Sequence, residues 1–117
     1  MHRAGVPFMA GTDLSGAYIF AGFSLHDELA LYVKAGFTPL EALQAATRNP
    51  AIFLGELNSQ GTVERGKAAN LVLLEANPLE DIRNTQRINA VVLNGRLLPK
   101  DQLQRMLAEA EAAARKK

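Results

Sequence analysis

Two residues carry most of the chemical potential in this sequence, Asp13 and His26. Asp13 stands in the loop Gly11-Thr12-Asp13-Leu14-Ser15-Gly16, directly after the apolar run of residues 6–10. A carboxylate on a loop that leaves a buried strand can face a ligand or a metal ion. The same carboxylate can instead accept backbone N–H bonds within its own turn. His26 falls in the first turn of a capped helix, beside Asp27 and Glu28. There an imidazole can touch a substrate, or be a solvated or packed side chain with no chemical role. His26, Asp27 and Glu28 are adjacent rather than three or four apart, so they do not bring two ligands onto one helical face and form no zinc motif. Gly11 and Gly16 have the spacing of a phosphate-cradling loop but lack the Lys-[Ser/Thr] that follows it. Ser15 and Ser24 have no nucleophile elbow around them, which removes the serine-triad reading.

Composition narrows the field further. The chain has 117 residues, 13 Lys+Arg against 12 Asp+Glu, and no cysteine. A net charge of +1 gives no general attraction to phosphate backbones or anionic lipid, so neither nucleic acid nor membrane is expected as a partner. The basic run Arg115-Lys116-Lys117 complements a helix C-terminus. Without cysteine there is no disulfide framework, no thiolate metal site and no cysteine nucleophile, and a cytoplasmic location is the default expectation. The first ten residues lack the pattern of an export signal, and no stretch approaches the roughly 18 apolar residues of a membrane span. A 48% hydrophobic and 21% charged sequence of this length is globular in character and amounts to one domain at most.

The elements that would position these residues follow from local grammar. Residues 6–10 read as a buried strand, with Pro7 near its start where a missing N–H is tolerable. Ser24 followed by Asp27 resembles a capping box, and Leu25, Leu29, Tyr32 and Val33 recur at helical spacing, giving a helix over 25–35 closed by Gly36. Thr38-Pro39-Leu40-Glu41 is a stronger box and opens a second helix to about Arg48. Asn49-Pro50 starts a short third helix over 51–54, stopped by Gly55. Thr62-Val63-Glu64-Arg65, between Gly61 and Gly66, reads as a strand end and a tight turn. The continuous apolar run 71–74 reads as a strand covered on both faces. Residues 88–93, Asn94-Gly95 and 96–98 form the strongest hairpin signal in the chain. From Asp101 onward Leu103, Met106, Leu107, Ala110 and Ala114 make one apolar stripe on a helix of about fourteen residues.

Taken in order, these stretches resemble the end of a metal-dependent amidohydrolase. The resemblance rests on Gly5-Val6-Pro7-Phe8-Met9-Ala10-Gly11-Thr12-Asp13, Ser24-Leu25-His26-Asp27-Glu28-Leu29, and Ala35-Gly36-Phe37-Thr38-Pro39-Leu40-Glu41-Ala42-Leu43. It continues through Ala45-Ala46-Thr47-Arg48-Asn49-Pro50-Ala51, Gly55, Gly61-Thr62-Val63, Gly66-Lys67-Ala68-Ala69-Asn70-Leu71-Val72-Leu73-Leu74, Asn77-Pro78-Leu79-Glu80-Asp81-Ile82 and Val91-Val92-Leu93-Asn94-Gly95-Arg96. Within the superfamily it looks most like the imidazolonepropionase and prolidase-like branch. The resemblance implies an α/β fold: an incomplete piece of a (β/α)₈ barrel, its last strand and following helices over 1–56, then part of a small β-sandwich over 57–98 and a C-terminal amphipathic helix over 99–117. It also implies that Asp13 ends the eighth strand, ligates a divalent metal, foremost zinc, and handles a proton in hydrolysis. His26 and the loop 14–23 would line the mouth of the pocket. Asn70 stands where the family usually has Asp, at a turn remote from the metals.

A complete barrel of this type needs about 250 residues. The family's metal site also takes a His-x-His pair, a carboxylated Lys or Glu, and two further histidines, whereas this chain has only His2 and His26. Asp13 alone would hold a divalent ion poorly. The expectation is therefore the C-terminal part of a hydrolase of carbon–nitrogen bonds in amides, dipeptides or cyclic amides, inactive and without tightly bound metal in isolation. Its exposed apolar strands favour a homo-oligomer. A non-catalytic interaction module of the same descent is the alternative, and a divergent small-molecule binder a third reading.

Overall fold

A computed structural model describes residues 5–11 and 23–115. The described elements run α1 (Phe23–Lys34), α2 (Pro39–Ala46), α3 (Arg48–Phe53), β1 (Leu71–Leu74), a 3₁₀ turn (Ile82–Gln86), β2 (Ile88–Leu93), β3 (Arg96–Pro99) and α4 (Lys100–Arg115). It is a mixed α/β arrangement with one small antiparallel sheet.

Local hydrogen bonding explains the helical half. Thr38 Oγ1 accepts from the Glu41 N–H at 3.1 Å, and Glu41 Oε1 accepts from the Thr38 N–H at 3.0 Å, so the expected capping box of α2 is complete. Helix α1 ends in a Schellman motif: the Gly36 N–H donates to the Val33 carbonyl and the Phe37 N–H to the Tyr32 carbonyl. The accompanying apolar contact is the Phe37 ring stacked on Tyr32, centroids 5.1 Å apart. Helix α1 starts earlier than expected, so Ser24 lies inside its first turn rather than capping it. Helix α3 likewise starts before Pro50, which sits in the first turn where no intrahelical N–H is needed.

Gly61 brings the following loop over this layer. Its φ is +97°, and a Cβ there would stand 2.6 Å from the Ala51 Cβ and 3.3 Å from the Thr47 carbonyl. Only a glycine satisfies both the backbone and the contact. Leu29, Ala42 and Ile82 are buried together, with Tyr32, Val33 and Leu43 packed around them. Ile82 belongs to the 3₁₀ turn, so a residue lying between two strands completes the helical core.

The sheet has the order β1-β2-β3, with Val72 opposite Val91 and Val91 opposite Leu98. The β2–β3 connection is the expected Asn94-Gly95 turn, with φ of 52° and 81°. Two left-handed residues in succession define the type I′ geometry that matches strand twist. Its tip is clipped to the chain entering β1: the Asn94 N–H donates to Asn70 Oδ1 at 2.8 Å and the Gly95 N–H to the Ala69 carbonyl at 3.0 Å. Asn70 thus supplies the acceptor that an aspartate would supply, and the turn is intact.

Three expectations are corrected. Residues 6–10 form no strand, because no strand lies beside them among the described residues to complete a ladder. Residues 62–65 form a turn without a strand, organised by the Lys67 ammonium, which is 2.8 Å from Glu64 and also donates to Thr62 Oγ1. Strand β1 is not covered on both faces: Val72 is 56% and Leu73 44% exposed. Helix α4 carries the expected stripe, but none of its residues is buried.

Candidate functional site

The site is built outward from residues 5–11, the stretch that leads into the Asp13 loop. Three side-chain and backbone donors fix it to the helical layer. Asn49 Nδ2 donates to the Phe8 carbonyl at 2.8 Å, the Tyr32 hydroxyl to the Met9 carbonyl at 3.1 Å, and the Ala10 N–H to the Ala45 carbonyl at 2.8 Å. The Phe8 ring adds an edge-on contact to Phe37, centroids 5.0 Å apart. Successive residues 8, 9 and 10 are each held by a different helix or helix junction. These bonds tie the backbone to the helices as far as Ala10, three residues before Asp13 in the sequence. Asp13 itself, with the rest of 12–22, lies outside the described residues.

Burial raises the Tyr32 phenol above its ordinary pKa, and the nearby Glu28 carboxylate, one helical turn away, raises it further. The phenol therefore stays protonated and remains a donor to Met9 across the neutral range. Glu28 Oε2 is buried and has no hydrogen-bond partner among the described residues.

His26 is half-buried on α1, its Nδ1 3.0 Å from Thr85 Oγ1 in the 3₁₀ turn. Thr85 is the one buried polar residue of the described part. The pair joins the helical layer to the sheet segment, and either the ring N–H or the threonine hydroxyl can be its donor. The structure does not bring His26 together with other metal-ligating side chains. Among the described residues no group of three or more His, Cys, Asp or Glu could hold a metal ion. The donor set a divalent ion requires is therefore not assembled from residues 5–11 and 23–115.

Three residues with positional roles carry no local sign of them: Tyr32 reads as part of an apolar stripe, Asn49 as a helix start, and Thr85 as part of a connection with no element. The 3₁₀ turn did carry a signal. The Asn77 side chain accepts from the Leu79 N–H at 2.9 Å, and Asp81 accepts from the Arg83 N–H at 2.9 Å, two side-chain-capped turns in a row. Arg83 holds the Asp81 carboxyl down at a pKa of about 2, mainly through its side-chain hydrogen bonds.

Residues 1–98 match the family model described as the amidohydrolase family. The chain belongs to that family. It is 38% identical over 91 residues to an ochratoxinase of Aspergillus niger, covering 76% of this chain and 18% of the relative. It is 44% identical over 73 residues to an imidazolonepropionase of Pyrobaculum arsenaticum, covering 62% of this chain and 18% of the relative. In three dimensions it superposes on a Xaa-Pro dipeptidase with a TM-score of 0.75 at 30% identity, covering 84% of this chain and 23% of that one. The chain thus spans about a fifth of the length of these amidohydrolases. Among the described residues, no helix is long and apolar enough to cross a membrane.

Proposed function

We propose that this chain is the C-terminal part of a metal-dependent hydrolase of carbon–nitrogen bonds, taking amide, dipeptide or cyclic-amide substrates in the cytoplasm. The observation that carries the reading is the extent of the match: 84% of this chain superposes on only 23% of a dipeptidase. Residues 1–56 are then the close of a (β/α)₈ barrel, 57–98 part of its β-sandwich and 99–117 a terminal helix. Asp13 is proposed as one ligand of the enzyme's divalent metal, zinc by preference, and as its catalytic carboxylate. His26 is proposed to line the pocket mouth; with Nδ1 engaged by Thr85, contact with a small-molecule substrate falls to Nε2.

In isolation the chain is inactive and associates with itself. Apolar side chains left exposed on α4 and β1, among them Met106, Leu107, Val72 and Leu73, supply a surface for this, and they also favour the second reading, a non-catalytic interaction module.

The test begins with the coding sequence upstream of Met1, where an in-frame His-x-His and further histidines are expected. The protein read from that longer frame should hydrolyse an Xaa-Pro dipeptide or an N-acyl amide with zinc present, and Asp13→Asn should lower its turnover by orders of magnitude. An upstream frame without those histidines, or full turnover in the Asp13→Asn protein, would refute the proposal. A stable complex of the 117-residue chain with an unrelated protein, with no such frame upstream, is the outcome that selects the module.

A further inference from the structure

We propose that Asn94 is a deamidation site whose reactivity is governed by Asn70. Asn94-Gly95 is the one Asn-Gly pair in the sequence, and both residues are exposed. Because Gly95 has no Cβ, its backbone nitrogen can approach the Asn94 side chain without steric hindrance. The reaction forms a bond from the Gly95 nitrogen to Asn94 Cγ, breaks the Cγ–Nδ2 bond, and releases ammonia, which carries away the proton lost by the Gly95 nitrogen. Water then opens the resulting five-membered imide at one of its two carbonyls, leaving aspartate or isoaspartate. The sum is asparagine plus water giving an acidic residue plus ammonia, with no oxidant or other co-reactant.

In the folded chain the nucleophile is occupied. The Gly95 N–H donates to the Ala69 carbonyl at 3.0 Å, and the preceding N–H, that of Asn94, donates to Asn70 Oδ1 at 2.8 Å. Both acceptors are adjacent residues on the chain entering β1, so they hold the tip as one clip. Attack on Cγ requires the Gly95 N–H to leave its acceptor and the turn to depart from its left-handed pair of φ angles, 52° and 81°. Closed, the clip keeps the bond-forming atoms from reacting; open, it exposes the most reactive dipeptide of the chain. The isoaspartate product adds one carbon to the backbone between Leu93 and Arg96, which face each other across the hairpin, and so prevents the clip from closing again.

Asn58-Ser59 supplies an internal control, since its nucleophile is also bonded, the Ser59 N–H to the Glu56 carbonyl at 3.0 Å, in a turn that Asn70 does not bond. The experiment is incubation of the full purified chain in mildly alkaline buffer with peptide mapping by mass spectrometry at both sites. Asn94 should convert slowly in the folded chain and fast in urea. Asn70→Ala should accelerate conversion at Asn94 roughly fivefold, as loss of one hydrogen bond of ordinary net strength implies, and leave Asn58 unchanged. Asn70→Asp, which keeps the acceptor, should return the rate to that of the parent. A parental rate at Asn94 in the Asn70→Ala chain, or equal acceleration at Asn94 and Asn58, overturns the assignment.

Discussion

Helices α1 and α4 both carry apolar stripes, and their fates differ. Helix α1 delivers Leu29 into a core with Ala42 and Ile82, where it is 4% exposed. Helix α4 is longer, yet Met106 is 50% and Leu107 59% exposed on its stripe. Its first turn is secured to the sheet by Lys100, whose ammonium is 2.6 Å from the Glu75 carboxylate. Beyond the half-buried Leu103 its residues are exposed, with i, i+4 pairs such as Arg115–Glu111 along the helix. Periodicity makes a helix, whereas burial needs a second surface. The α1–α3 layer has one in the 3₁₀ turn and the loop through Gly61; among the described residues α4 meets only the sheet, near its start, where Leu103 is half-buried.

The contrast sharpens under mutation. Leu29→Ala should lower stability by about 3 kcal/mol, because it empties part of a filled core, while Leu107→Ala should change it by less than about 0.5 kcal/mol. Urea unfolding of the two variants measures both, and equal losses would erase the distinction between the helices. Gly61→Ala should cost about 2 kcal/mol by forcing a methyl group against Ala51 and a side chain into left-handed backbone. The same unfolding curves check it, and an unchanged midpoint would mean that the loop does not press on α3. Thr38→Ala should cost about 1 kcal/mol by opening the α2 capping box, read as a lower thermal midpoint.

The smallest effect is electrostatic and lies at the junction of the two halves. Asp81 has a lower pKa folded, about 2, than its ordinary value of 3.8. Its contribution is therefore complete above about pH 4 and fades as acid is added between the two values. The 3₁₀ turn should loosen over that interval, seen as a shift of the Ile82 and Thr85 amide resonances that is absent in Asp81→Asn. Titration of those resonances near pH 4 instead would show that Arg83 does not hold the carboxylate.

What could be read in advance depended on the range of the interaction. The α2 box and the Asn94-Gly95 hairpin are set by residues within four positions of one another, and both formed as expected. Residues 6–10 form no strand because strand character belongs to the partners and not to the run itself. The tethers that hold this stretch, Tyr32 to Met9 and Asn49 to Phe8, join residues 23 and 41 positions apart, where no local spacing announces them. His26 was legible as a candidate, but its contact with Thr85, 59 positions away, was not. Asp13 is legible as a loop carboxylate after an apolar run, with its metal role implied by family resemblance, and it falls in 12–22, outside the described residues.

Among the described residues this amidohydrolase segment assembles no metal site. Calorimetric titration of the purified 117-residue chain with zinc extends the question to Asp13. No stoichiometric binding at micromolar concentrations is expected, with Asp13→Asn indistinguishable from the parent. One equivalent of tightly bound zinc, lost on Asp13→Asn, would contradict it.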